Sequence, residues 1–91
     1  MKQFTFRITD PNGMHARPAG KLATYAKRFD AQIFIKANGK EADAKRLLSL
    51  MSLGATYQTE LCFCVSGKDE DQVAAQLEHF CREEWDRTEQ K

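Results

Sequence analysis

Residues 3–29, QFTFRITDPNGMHARPAGKLATYAKRF, read as a strand, a turn and a helix, and this order decides the fold. Over residues 3–9, Phe4, Phe6 and Ile8 alternate with Thr5, Arg7 and Thr9. A period of two with one apolar side predicts a half-buried strand. Asp10-Pro11-Asn12-Gly13 is a turn cluster, in which proline fixes one dihedral and glycine supplies a positive one. Beyond it Ala19, Leu22, Ala23 and Ala26 recur at helical spacing within residues 16–28, and Phe29 follows just past the end. Pro18 would break a helix interior, but first-turn N–H groups have no intrahelical acceptor. A helix starting at about residue 16 therefore accommodates it, and His15 falls at the N-cap or next to it.

The pattern continues outward. Residues 31–36 read as a second strand with Ala31, Ile33 and Ile35 facing in. Asn38-Gly39 is a strong hairpin signal, so a short third strand is expected over 40–43. Residues 46–53 are apolar enough for a second helix, stopped by Gly54. Residues 60–66 make a fourth strand with Leu61, Phe63 and Val65 on the core face and Cys62 and Cys64 on the other. Asp69 and Gln72 resemble a capping box that opens a last helix. Val73, Leu77, Phe80 and Cys81 form its apolar stripe, which Trp85 extends. The order β-α-β-β-α-β-α is a split β-α-β pattern with an added helix. It predicts an α+β open-faced sandwich: a four-stranded antiparallel sheet, covered on one side by three helices and open to solvent on the other. A single domain over 1–91 is expected, with 86–91 as a polar, frayed tail.

Composition narrows the function classes. The chain has 91 residues, 42% hydrophobic and 30% charged, with a formal net charge of +1. That fits a globular domain and gives no electrostatic case for nucleic acid or an anionic membrane. No apolar run approaches a membrane span, and MKQFTFRITD has no signal-peptide core, so no membrane insertion is expected. Cys62, Cys64 and Cys81 are an odd number without framework spacing and read as packing residues in a reducing cytoplasm. No His/Cys pair has zinc-finger spacing, and no phosphate loop occurs, so neither metal nor cofactor is expected. His79, on the last helix, reads as a solvated side chain.

Gly13-Met14-His15-Ala16-Arg17-Pro18-Ala19 carries the chemistry. Imidazole is nucleophilic near neutral pH. A helix N-terminus offers free N–H donors and a positive dipole end to an anion, and an arginine adds planar charged donors. Alone, His-x-Arg would read as an N-cap and a surface charge. In this strand-turn-helix setting it reads as a phosphoryl-accepting site. The same string resembles the HPr family, the histidine-containing phosphocarriers of the bacterial phosphoenolpyruvate-dependent sugar phosphotransferase system. Further matches are Asn38-Gly39-Lys40, Met51-Ser52-Leu53-Gly54 and Ser66-Gly67-Lys68-Asp69-Glu70, so that the likeness spans about residues 3–85. The resemblance implies that His15 is phosphorylated on Nδ1 by phospho-enzyme I and passes the group to sugar-specific IIA domains. It implies that Arg17 neutralises the phosphoryl group. It also implies a carrier, not an enzyme, acting as a monomer.

Leu47, Leu48, Leu50, Met51 and Leu53 spread over about 220° of the second helix at 100° per residue, wider than a core-facing stripe of about 100°. Either the helix is buried all round or part of it is a docking patch. The resemblance assigns docking to Leu47, Leu48 and Met51, with Ala16, Gly20 and Lys21 as weaker contacts on the first helix. Arg46 departs from the family, in which a regulatory serine often stands at this position; arginine cannot accept a phosphate ester. Two other readings remain at this point. One is an HPr-like regulatory or docking module that controls a partner protein. The other is an RNA-binding sheet, for which a single open-face aromatic, Phe34, and near-zero charge argue poorly.

Overall fold

The computed structural model describes residues 1–85; the tail expected over 86–91 lies outside them. The elements are β1 (Lys2–Arg7), α1 (Ala16–Ala26), β2 (Gln32–Ala37), β3 (Lys40–Asp43), α2 (Leu47–Met51), β4 (Glu60–Ser66) and α3 (Glu70–Trp85). The sheet order is β1-β4-β2-β3, with every neighbour antiparallel. β4 lies between β1 and β2, and β2 between β3 and β4. The chain thus makes two interleaved split β-α-β units, with α1 and α2 as their crossovers.

Inward positions follow the period of two. Ile33 and Ile35 on β2, and Leu61, Phe63 and Val65 on β4, are buried, and Ile8 just beyond β1 joins them. The helices close over this face with Leu22 and Ala26 from α1, Leu50 from α2, and Val73, Leu77 and Trp85 from α3. Each large aliphatic side chain buried this way stabilises the fold by about 1.5–3 kcal/mol. Phe4 stacks on Phe63 with ring centroids 4.6 Å apart.

β1 spans Lys2–Arg7 rather than 3–9 and α1 ends at Ala26 rather than 28, and three further features differ from the sequence expectations. α2 is five residues long, not eight: Ser52 and Leu53 close it in turn geometry before Gly54 at φ +66. The hairpin turn supports this short helix. Asn38 and Gly39 both take positive φ, and the Asn38 side-chain amide donates to the carbonyls of Leu53 (3.0 Å) and Gly54 (3.2 Å). Lys40 Nζ donates to the Ser52 carbonyl at 3.3 Å. At the start of α3, Asp69 has φ +61, not the extended backbone of an ordinary cap. The Glu70 carboxylate, rather than Gln72, reaches back to accept from the Gly67 N–H at 3.1 Å. Finally, the outer sheet face is not uniformly solvated. Cys64 is buried there, flanked in register by Gln3 on β1 and Phe34 on β2.

Candidate functional site

The site is built from a turn that backbone geometry leaves little choice about. The Asp10 carboxylate accepts from the Asn12 N–H at 2.9 Å, and the Asp10 carbonyl accepts from the Gly13 N–H at 2.9 Å. Gly13 has φ +64, and a Cβ there would lie 2.7 Å from Thr56 Cα. Any other residue would be strained in both conformation and space. The next N–H, of Met14, donates to the Ala55 carbonyl at 3.1 Å. The loop after α2 therefore clamps the segment just before His15. Sequence reading missed this clamp, because nothing local links 13–14 to 55–56.

His15 is the N-cap of α1, with extended backbone (φ −96, ψ 179), and its side chain makes no capping hydrogen bond. Its carbonyl accepts the first helical bond, from the Ala19 N–H at 3.1 Å. Pro18 is buried at the third helical position and carries no N–H. Ala16 and Arg17 are thus left with first-turn N–H groups that donate to none of the described residues. The first turn holds no acidic residue. The His15 ring is half-buried and Arg17 is exposed. Among the described residues none pairs with the guanidinium. A nucleophilic ring, two free backbone donors and an uncommitted cation are brought together within three residues. That combination can hold a dianion next to imidazole.

α1 packs against α2. On α2, Leu50 is fully buried, whereas Leu48 is 83% exposed and Leu47 and Met51 are each 39% exposed. The helix is therefore not buried all round: part of its apolar surface is exposed. Arg46 is the α2 N-cap, exposed, with Nε 3.9 Å from the Asp43 carboxylate. Asp43 also accepts from the Lys45 N–H at 2.9 Å, which fixes the entry to the helix. Tyr57, 53% exposed in the loop that clamps Gly13, is an outward aromatic that periodicity did not single out. Among the described residues no cluster of His, Cys, Asp and Glu could hold a metal ion, and no helix is long and apolar enough to cross a membrane.

Comparison with known proteins agrees. The family model for the PTS HPr component phosphorylation site matches residues 2–83. The phosphocarrier protein HPr of Buchnera aphidicola subsp. Baizongia pistaciae is 40% identical over 80 residues, covering 88% of this chain and 94% of that one. The Mycoplasma histidine-containing phosphocarrier superposes with a TM-score of 0.86 at 33% identity, covering 90% of this chain and 93% of the other. Bacillus subtilis Crh, a catabolite-repression protein that forms a domain-swapped dimer, gives 0.72 at 32% identity over 93% and 98% of the two chains. This chain belongs to the HPr family of phosphocarrier proteins of the phosphotransferase system.

Proposed function

We propose that His15 accepts a phosphoryl group from phospho-enzyme I and passes it to sugar-specific IIA domains, within a single-domain cytoplasmic monomer. The Nδ1 lone pair attacks phosphorus, a P–N bond forms, and the donor's bond to phosphorus breaks. The ring proton stays on Nε2. Nδ1 is the ring nitrogen nearer the backbone, so a phosphoryl group there has the shorter reach to the Ala16 and Arg17 N–H groups. The Arg17 guanidinium supplies the remaining compensation. The observation that carries this reading is the α1 N-terminus itself: capped by His15, without an acidic residue, and with two first-turn donors committed to none of the described residues.

Leu47, Leu48 and Met51 are the proposed docking patch for both partners, with Ala16 at its edge. In a carrier that must be released after each transfer, a small exposed patch suits transient binding better than a large one. Control by a serine at position 46 is absent, because Arg46 has no hydroxyl to esterify.

Incubation with enzyme I and phosphoenolpyruvate, followed by intact mass, tests the chemistry. The expected result is an acid-labile gain of one phosphoryl group, lost in His15→Ala; a gain that persists in His15→Ala would refute it. Leu48→Glu tests the docking. It should slow transfer with both partners while changing stability by no more than about 0.5 kcal/mol, as surface substitutions do. Unchanged transfer rates would remove α2 from the interface.

A further inference from the structure

Cys62 and Cys64 sit two residues apart on β4, the strand between β1 and β2, and both face the side of the sheet away from the helices. Neither is in a disulfide. Cys62 is partly exposed and lies opposite Thr5 on one side and Lys36 on the other. Cys64 is buried between Gln3 and Phe34, and its sulfur accepts from the Gln3 amide at 3.7 Å. Positions i and i+2 of a strand share a face, so the two thiols are neighbours along β4; burial, and then the neighbouring Cys64, pushes the Cys62 thiol up.

Strand geometry separates their Cα atoms by about 6.5–7 Å, at the far limit of what a disulfide spans. A direct S–S bond would therefore strain a central strand. A bridging atom between the sulfurs lengthens the link and relieves that strain. With no third His, Cys, Asp or Glu in reach among the described residues, a four-coordinate zinc site is not available. Soft thiolates select Cu(I), a d10 ion that accepts two sulfurs.

We propose that Cys62 and Cys64 form a two-thiolate site for Cu(I) on the open face of the sheet. Binding follows Cu⁺ + 2 RSH → [Cu(SR)₂]⁻ + 2 H⁺, so the loaded site carries one negative charge. Lys36, directly across from Cys62, offsets that charge; Glu60, on the same strand and face, opposes it and is itself paired with Arg7 at 3.8 Å. The site is remote in sequence from His15 and independent of phosphoryl transfer. Cys81 is a built-in control. It is fully buried in α3, and burial together with Glu78 holds its thiol protonated far above the usual range.

The test is titration of the reduced protein with Cu(I) alone, without oxygen, against a chromophoric Cu(I) chelator, with native mass spectrometry counting ions per chain. One Cu(I) per chain is expected. Cys62→Ser and Cys64→Ala should each weaken binding by more than about 100-fold, beyond the roughly 10–100-fold that outer-shell changes cost. Lys36→Gln should weaken it roughly 10-fold. Cu(I) should also protect Cys62 from alkylation in the unsubstituted protein, which reads the site even where a variant folds poorly. Loss of all copper to the chelator, equal retention by Cys62→Ser, one ion shared by two chains, or alkylation of Cys62 unaffected by copper would each overturn the proposal.

Discussion

The helices α1 and α3 begin in opposite electrostatic ways. At α3 the first turn contains Glu70 and Asp71, and the Glu70 carboxylate accepts from the Gly67 N–H and pairs with the N-terminal ammonium at 2.9 Å. That end neutralises itself with its own acids. At α1 the cap is a histidine that makes no side-chain bond, the first turn holds no acid, and the second helical residue is an arginine. Both ends have the positive pole of a helix dipole. Of the two, only α1 combines a first turn free of acids with an arginine that none of the described residues engages. Acids at a helix start are stabilising, so their absence at α1 forgoes stability at the position proposed to receive the phosphoryl group.

Three changes break or sharpen this contrast. Arg17→Ala removes the cation from α1. It should slow phosphoryl transfer by roughly 10–100-fold, the scale of a hydrogen bond to a charged group at about 1.5–3 kcal/mol. Stability should stay within about 0.5 kcal/mol, because the side chain is exposed. A matched loss of stability and transfer in urea titrations and stopped-flow assays would assign Arg17 a structural role instead.

Ala16→Asp makes α1 begin as α3 does, and the two readouts should move in opposite directions. An acid in the first turn should stabilise the fold by about 0.3–1 kcal/mol. The same carboxylate should slow transfer about 10-fold, by repulsion of a charge about 4 Å away under partial screening. If transfer is unaffected, the open positive pole is not what α1 contributes.

Glu70→Gln weakens the self-neutralisation of α3 and has the smallest effect. The hydrogen bond from the N-terminal ammonium, then that from the Gly67 N–H, holds the Glu70 carboxyl below the usual glutamate range. A carboxylate with a lowered folded pKa binds fewer protons folded than unfolded. Its contribution is full above the ordinary glutamate pKa and is lost as pH falls through the folded value. Glu70→Gln should therefore lower Tm slightly at neutral pH and leave it unchanged in strong acid. A Tm difference independent of pH would mean that the charge is not what matters.

The contrast was half legible in the sequence. Pro18 dictated where α1 begins, because proline tolerates only the first turn, and so placed His15 at the cap. Asn38-Gly39 gave the hairpin for an equally local reason, the positive φ that both central residues take. The period-two alternation of β2 and β4 named the core residues Ile33, Ile35, Leu61, Phe63 and Val65. What stayed hidden depends on residues far apart in the chain. The carbonyls at the end of α2 are satisfied by Asn38 and Lys40, and Gly13 is held against Thr56. Cys64 is buried on the open face by neighbours from two other strands. At α3 the expected Asp69–Gln72 box failed because Asp69 takes a positive φ that its residue type permits but does not announce. The width of the apolar arc on α2 pointed to an exposed patch; which side chains formed it depended on how α2 packs against α1.

The proposed chemistry is confined to one end of one helix, and the amide ¹H–¹⁵N spectrum before and after phosphorylation by enzyme I and phosphoenolpyruvate reads that end directly. The largest shifts should fall on the amides of His15, Ala16 and Arg17, with the His15 ring signals reporting a phosphoryl group on Nδ1 and the amides of Glu70 and Asp71 unmoved. A phosphorylated chain whose shifts centre elsewhere, or whose Ala16 and Arg17 amides stay in place, would contradict it.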